Sequence, residues 1–318
     1  MEQYIKRHEA RGDYVRRGTC GGCEVFSGRF GWEDIRLGSS MIFSHRVTPY
    51  TRESFTEGMH CHDYRELIIY VGGDVEYIAG DALLTPHQGC AVCFSPGMMH
   101  TARLLSPSVY DRYVLYFFPE FFEFEGRTIP FPEPPTGLLP PDARYIRMLS
   151  EAEAAINSGM EYGGLLAEAH IITLFGLLAS AEAPAGDAGA LTGELAEIKR
   201  YIDENYASIG SVQEIAAHFF YSREHLSRTF RSHFNVSPSE YLLKRRISES
   251  LGLLEHMSVS DVCYAVGFGN QTSFISAFRR VMGCLPSEYK KRPHRSCPAG
   301  PAGFSGSLNV SVGACRCF

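Results

Sequence analysis

What this 318-residue chain lacks narrows its identity before any motif is read. No apolar run approaches the roughly 20 residues that a membrane-spanning helix needs, which excludes a membrane partner. The start, Met1-Glu2-Gln3-Tyr4, is not a secretion signal, and a cytoplasmic location is expected. No His/Cys pairing falls at zinc-finger spacing, so the ten cysteines read as reduced thiols, buried or solvated. A basic surplus is also missing: 30 Lys and Arg stand against 36 Asp and Glu, a formal net charge of -6. That balance speaks against a polyanionic partner until the chain is divided. Residues 191–295 carry 14 Lys and Arg against 11 Asp and Glu, whereas residues 1–190 carry 15 against 25. The little positive charge available therefore sits where phosphate contact would need it. The length suits about two domains, each with its own core.

What is present is a stretch that repeats itself. From Ser211 to Tyr289 the chain reads first Glu214-Ile215-Ala216, Ser222 to Phe230 and Ser237-Pro238-Ser239-Glu240-Tyr241, and then Asp261-Val262-Cys263, Asn270 to Phe278 and Leu285-Pro286-Ser287-Glu288-Tyr289. Phe230, Pro238 and Tyr241 are spaced as Phe278, Pro286 and Tyr289 are. A helical pattern recurring at fixed spacing is a fold signal. Each copy reads as a helix-turn-helix. Ser211 with Glu214 forms a capping box, and Ser222 caps a second helix whose Leu226 and Phe230 point inward. Ser222, Arg223, Glu224, Ser227, Arg228 and Arg231 are left at its cap and outer face. In the second copy Asn270 is the cap, Phe274 and Phe278 turn inward, and Gln271, Thr272, Ser273, Ile275 and Ser276 face out. A helix from Pro238 to about residue 254 would fix the separation of the two units. Rigidly joined recognition helices suit successive major grooves, about 34 Å apart.

This pattern resembles the AraC/XylS family of transcription regulators, above all at Val262-Cys263-Tyr264-Ala265-Val266-Gly267-Phe268-Gly269 with Phe274, Phe278, Pro286 and Tyr289. The resemblance implies double-stranded DNA as partner, a homodimer, a small-molecule effector with sugars as a frequent class, and RNA polymerase as a candidate contact. The chain departs from the family's frequent Arg at Ser276, next to the apolar Ile275. With fewer charges on the second helix, the first is expected to dominate specificity.

From Met41 to about Phe118 short apolar strands alternate with Gly and Pro turns, which argues for a sandwich or barrel. Their order resembles the cupin barrel that serves as sensor in many AraC relatives. The match is His60-x-His62-x-x-x-Glu66, then Gly73, Gly89 and Pro96-Gly97-x-x-His100. In metal-binding cupins three His and one Glu of this kind hold a divalent transition metal. Residues two apart on a strand share a face, so His60 and His62 could both enter the barrel, with Glu66 and His100 from neighbouring strands. Imidazoles with one carboxylate suit iron, manganese, nickel or zinc. The same four residues also read as effector contacts, or as polar residues of the barrel mouth, without metal. His45 and His87 read as surface or packing histidines.

The expected fold is α+β and multidomain: a cupin-like β-barrel with a helical hairpin, then an all-α double helix-turn-helix. Residues 1–40 form an N-terminal extension, 41–141 the barrel, 142–180 a hairpin with apolar surface left over for dimerisation, 181–191 a linker, 192–293 the DNA-binding unit and 294–318 a disordered tail. Two rival readings stay open. The barrel could be a metal-dependent enzyme carrying a DNA-binding appendage, although no acid/base set is visible beyond the four residues. Cys20 and Cys23 could form a redox pair or half of a zinc site; Cys90 and Cys93, three apart in a strand, point to opposite faces.

Overall fold

Apolar runs such as Leu67-Ile68-Ile69-Tyr70 carry no polar alternation because the sheet they build is covered on both sides. In this computed structural model, residues 5, 14–20, 22–28, 33–38, 40–49, 58–118, 123–124, 127–128, 137–181 and 188–291 are described. The expected tail lies outside them.

The larger sheet has eight strands, in the order β1 (Tyr14–Cys20), β2 (Cys23–Gly28), β3 (Glu33–Leu37), β4 (Met41–Pro49), β10 (Val109–Phe117), β5 (Arg65–Gly72), β8 (Ala91–Phe94) and β13 (Leu138–Leu139). The smaller has four: β14 (Ala188–Ala190), β7 (Ala82–Leu84), β6 (Val75–Ala79) and β9 (His100–Leu104). β11 (Glu123–Phe124) and β12 (Arg127–Thr128) form a separate ribbon. Side chains alternate across the large sheet. Phe43, Leu67, Ile69, Tyr113, Leu115 and Phe117 pack against two helices, α1 (Ala143–Asn157) and α2 (Gly163–Ala179). Their neighbours Ile42, Ile68, Tyr70, Val114 and Tyr116 meet Val75, Tyr77 and Leu84 of the small sheet in the barrel interior.

Two expectations need adjusting. The segment expected as an N-terminal extension supplies three strands, and Val25, Ile35 and Leu37 join the core under the hairpin. The end of the expected linker is β14, paired with β7. In both places the strands are short and border the sheet or carry charges, so their alternation is weak in sequence.

The hairpin buries Tyr145, Leu149, Ala152 and Ile156 from α1, and Ala167, Ile171, Leu174, Phe175 and Leu178 from α2. Leu165, Leu166 and Ile172 remain exposed on α2. His45 is no mere packing residue: its Nδ1 lies 3.0 Å from Glu153 Oε2, and its Nε2 lies 2.9 Å from Asp111 Oδ1. The ring stacks on Tyr113 at 4.2 Å. Hydrogen bonding to Glu153 raises the His45 pKa above 6.5, against the opposing effect of burial, and Asp111 adds to it. The same bond lowers that of Glu153 from 4.5, again against burial. The His45 contribution is complete below about 6.5 and is lost as pH rises through its higher folded value; that of Glu153 is complete above about 4.5. The hairpin is therefore held best from about pH 4.5 to 6.5, and wild-type melting temperature should fall between pH 6 and 8. His45→Gln should flatten that fall, as differential scanning calorimetry can record.

The C-terminal half is helical: α3 (Glu194–Asn205), α4 (Val212–His218), α5 (Arg223–Phe234), α6 (Pro238–His256), α7 (Val259–Ala265), α8 (Gln271–Met282) and α9 (Pro286–Lys290). The caps expected at Ser211, Ser222 and Asn270 are present, and the structure adds Ser258. Ser211, Ser222, Ser237, Ser258 and Asn270 each accept a hydrogen bond from the backbone N–H three residues on. Leu226, Phe230 and Tyr241 fill one small core, and Phe274, Phe278 and Tyr289 fill another. α6 belongs to both, and at about 1.5 Å per residue its 19 residues span roughly 28 Å.

Candidate functional site

Four side chains converge inside the barrel. Glu66 lies on β5 with the parity of Ile68 and Tyr70, so it faces the interior. His100 opens β9, and an isolated bridge pairs it with His60, with backbone hydrogen bonds of 2.9 Å in both directions. His62 follows on the approach to β5. The expected strand carrying both His60 and His62 is thus a single bridge followed by a bend, and pairing with His100 is what turns His60 into the site. One ligand atom from each of the four lies within 4.8 Å of all the others.

The three histidines are oriented in one way. Nδ1 of His60 lies 3.0 Å from the carbonyl of Gly58, that of His62 2.8 Å from Tyr64, and that of His100 2.8 Å from Met98. A carbonyl oxygen only accepts, so each Nδ1 donates there and each Nε2 is turned the other way. His62 Nε2 is 2.9 Å from Glu66 Oε2 and His100 Nε2 is 3.2 Å from it. His100, 3% exposed, has no hydrogen bond in good geometry at that nitrogen. A proton or a metal cation can be shared between these nitrogens and the carboxylate. Burial pushes the Glu66 pKa up, but the facing His100 and His62 outweigh it and hold the carboxyl well below its usual range.

Flat rings brace the histidines: Tyr64 stacks on His62 at 3.9 Å and Phe94 on His100 at 4.1 Å. Anchored Nδ1 groups and braced rings are the outer shell by which proteins orient imidazoles toward a metal. The set of three nitrogens and one carboxylate fits a divalent first-row ion. Among the described residues no other His, Cys, Asp and Glu group of three or more is so placed, and Cys90 and Cys93 join cores on opposite faces of the large sheet. The enclosed space here is about 40 Å³, edged also by Arg46, Tyr77, Tyr110 and Arg112.

The same loops grip the DNA-binding half, which sequence reasoning missed. Met59 N–H donates to Phe234 O at the end of α5 (3.0 Å), and Lys244 Nζ donates to Met59 O (3.0 Å). Ser248 Oγ donates to Gly97 O (2.5 Å), and Arg103 donates to His233 Nδ1 (2.9 Å). Met59, Cys61, Ile78 and Met99 complete the core around Phe230 and Phe234. Lys199, 1% exposed, sits between Asp81 of the barrel (2.7 Å) and Asp203 (2.6 Å). A lysine inside the apolar stripe of α3 was the only local hint of this contact.

On the far side, Ser222, Arg223, Glu224, Arg228 and Arg231 are exposed and Ser227 is half-buried; Asn270, Gln271, Thr272, Ser273 and Ser276 are exposed and Ile275 is half-buried. Arg223 and Arg231 have no hydrogen bond or ion pair among the described residues, and Arg228 reaches only His225. Lys244, Arg245 and Arg246 are instead committed within the fold, to Glu240 and Met59, to Asp203 and Glu249, and to the carbonyls of Tyr206 and Ile209.

A sheet-built ligand-binding domain joined to two helix-turn-helix units through one shared helix defines a DNA-binding transcription regulator. The chain belongs to the AraC-family regulators: the helix-turn-helix domain model matches residues 215–292 and the AraC-like ligand binding domain model matches 46–175. The Msm operon regulatory protein of Streptococcus mutans is 34% identical over 97 residues, 30% of this chain and 35% of that protein's length. The HTH-type transcriptional activator RhaS of Enterobacter sp. is 25% identical over 247 residues, 73% of this chain and 87% of its own. The DNA-binding domain of AdpA, solved in complex with a target DNA, is 30% identical over 31% of this chain and 91% of that one, with a TM-score of 0.30. The relatives are transcriptional regulators, and nothing in them supports the barrel as an enzyme. Among the described residues no helix is long and apolar enough to cross a membrane.

Proposed function

We propose that this chain is a cytoplasmic, homodimeric regulator whose grip on DNA answers to a divalent transition metal held by His60, His62, Glu66 and His100. The observation that carries the metal is the anchoring of all three Nδ1 groups on carbonyls, which turns Nε2 of His62 and His100 onto the Glu66 carboxylate with His60 in the same cluster. The space of about 40 Å³ beside the cluster suits an ion with a water or two. The metal supplies the charge that neutralises Glu66, and the protein's part is to fix the ligand geometry. Because the ligand loops also hold Phe234, Lys244 and Ser248, a shift of those loops on metal binding reaches α5 and α6 directly.

On the DNA, Arg223, Arg228 and Arg231 meet phosphates or guanine edges. Ser222, Glu224 and Ser227, with Asn270, Gln271, Thr272, Ser273, Ile275 and Ser276 of the second unit, lie toward bases. Glu224, an acceptor only, can take a hydrogen bond from the amino group of cytosine or adenine and disfavours guanine and thymine edges. The exposed Leu165, Leu166 and Ile172 of α2 offer the face for a second copy. RNA polymerase is the partner through which bound protein would change transcription.

The DNA reading is tested on a duplex enriched by the full chain from a random-sequence pool. Arg228→Ala should weaken binding by about 1–3 kcal/mol, and should lower the salt slope by about one if the contact is to phosphate. Unchanged affinity in a gel shift removes Arg228 from the interface.

A further inference from the structure

The two helix-turn-helix units end their first helices in the same way. In the first, Tyr221 N–H donates to Ala216 O (2.8 Å); in the second, Phe268 N–H donates to Cys263 O (3.0 Å). This bond closes a helix through a residue in the left-handed region, normally glycine. The second unit has Gly267 there, with φ +86°. The first has Phe220, with φ +57°. A residue with a Cβ is strained in that conformation. Burial does not offset it: the Phe220 ring is 97% exposed, while its neighbours Phe219 and Tyr221 pack into the core. The exposure persists with the barrel docked, because the barrel grips the opposite end of α5 at His233 and Phe234.

We infer that Phe220 is a DNA-contact residue whose ring lies on the apolar face of the duplex, against deoxyribose or a thymine methyl, beside the N-terminus of α5. Position argues for this partner. Phe220 stands two residues before Ser222, which caps the helix carrying Arg223, Arg228 and Arg231. In helix-turn-helix docking the start of the recognition helix reaches base edges while the first helix crosses the backbone, so the turn between them runs along the sugar-phosphate wall. The second unit has no room for such a group, since a Cβ on Gly267 would come within 2.3 Å of Ala207 O. The two units therefore grip unequally, the first holding an apolar anchor that the second lacks.

The test compares Phe220→Gly, Phe220→Asn and Phe220→Tyr in the full chain on the enriched duplex described above. Glycine and asparagine suit the backbone and remove the ring; tyrosine keeps it. The glycine and asparagine variants should melt no lower than wild type yet bind about tenfold more weakly, as partial burial of a phenylalanine implies, with an unchanged salt slope because no phosphate charge is involved. Tyrosine should retain the affinity. Unchanged affinity in the glycine variant overturns the assignment, as does equal loss in the tyrosine variant. So does intact DNA binding with reduced transcription in a purified system, which would give the ring to RNA polymerase. If wild-type protein enriches no duplex at all, the DNA-binding reading fails, a separate result.

Discussion

The His62→Ala/His100→Ala double variant should take up no divalent metal, whereas wild-type protein should bind about one ion per chain. Two of four ligands vanish, and with them the two nitrogens that face Glu66 at 2.9 and 3.2 Å. Removing even an outer-shell partner typically weakens metal binding 10- to 100-fold, so loss of two direct ligands should leave no measurable occupancy. The folded state should report it as well. Metal at 100 times its Kd stabilises a protein by about 2.7 kcal/mol, and the variant should melt at one temperature with or without metal. Elemental analysis and calorimetry with Mn(II), Fe(II), Ni(II) and Zn(II) read both quantities. Cys20→Ser/Cys23→Ser should bind metal as wild type does. If none of the four ions moves the wild-type melting temperature, the cluster is a polar pocket wall and the metal proposal falls.

Gly58→Val should disconnect metal binding from DNA binding. A Cβ at Gly58 would come within 2.4 Å of Asn235 O and 2.6 Å of Val236 Cγ1, closer than atoms approach, so the loop before His60 and the end of α5 cannot stay docked. A coupling of typically 1–3 kcal/mol makes a 5- to 150-fold difference in affinity between metal-free and metal-bound protein. In the variant that ratio, read at saturating metal, should collapse to one while the DNA affinity of the freed half persists; metal binding itself should weaken, because the Gly58 carbonyl that anchors His60 moves with the loop. Fluorescence anisotropy on the enriched duplex measures it. A ratio that survives the substitution means the signal travels by another route, such as the dimer face of α2.

The DNA-binding half was legible because its signals are local. A serine or asparagine cap bonds a backbone N–H three residues on, and inward aromatics recur at i and i+4; both are set by helix geometry within a dozen residues. The four clustered barrel residues were legible as residue types but not as an arrangement. His60 and His100 are 40 positions apart, and only their bridge brings them together. The assumption that His60 and His62 share a regular strand was unnecessary, because the three carbonyl anchors do the aiming. His45 read as a surface or packing residue since its partners Asp111 and Glu153 are distant in sequence. Lys199 likewise needed Asp81, 118 residues away, to be seen as an interdomain contact.

The sequence by itself determined the two helix-turn-helix units, the shared α6 and the residue types of the barrel site, because caps, turns and side-chain period depend on neighbours along the chain. Tertiary structure alone decided that β1–β3 complete the large sheet, that four side chains close on one point, and that the loops holding them also hold α5 and α6. Those depend on which strands pair and which surfaces pack, where the gain comes from contacts between segments that carry no mark of one another.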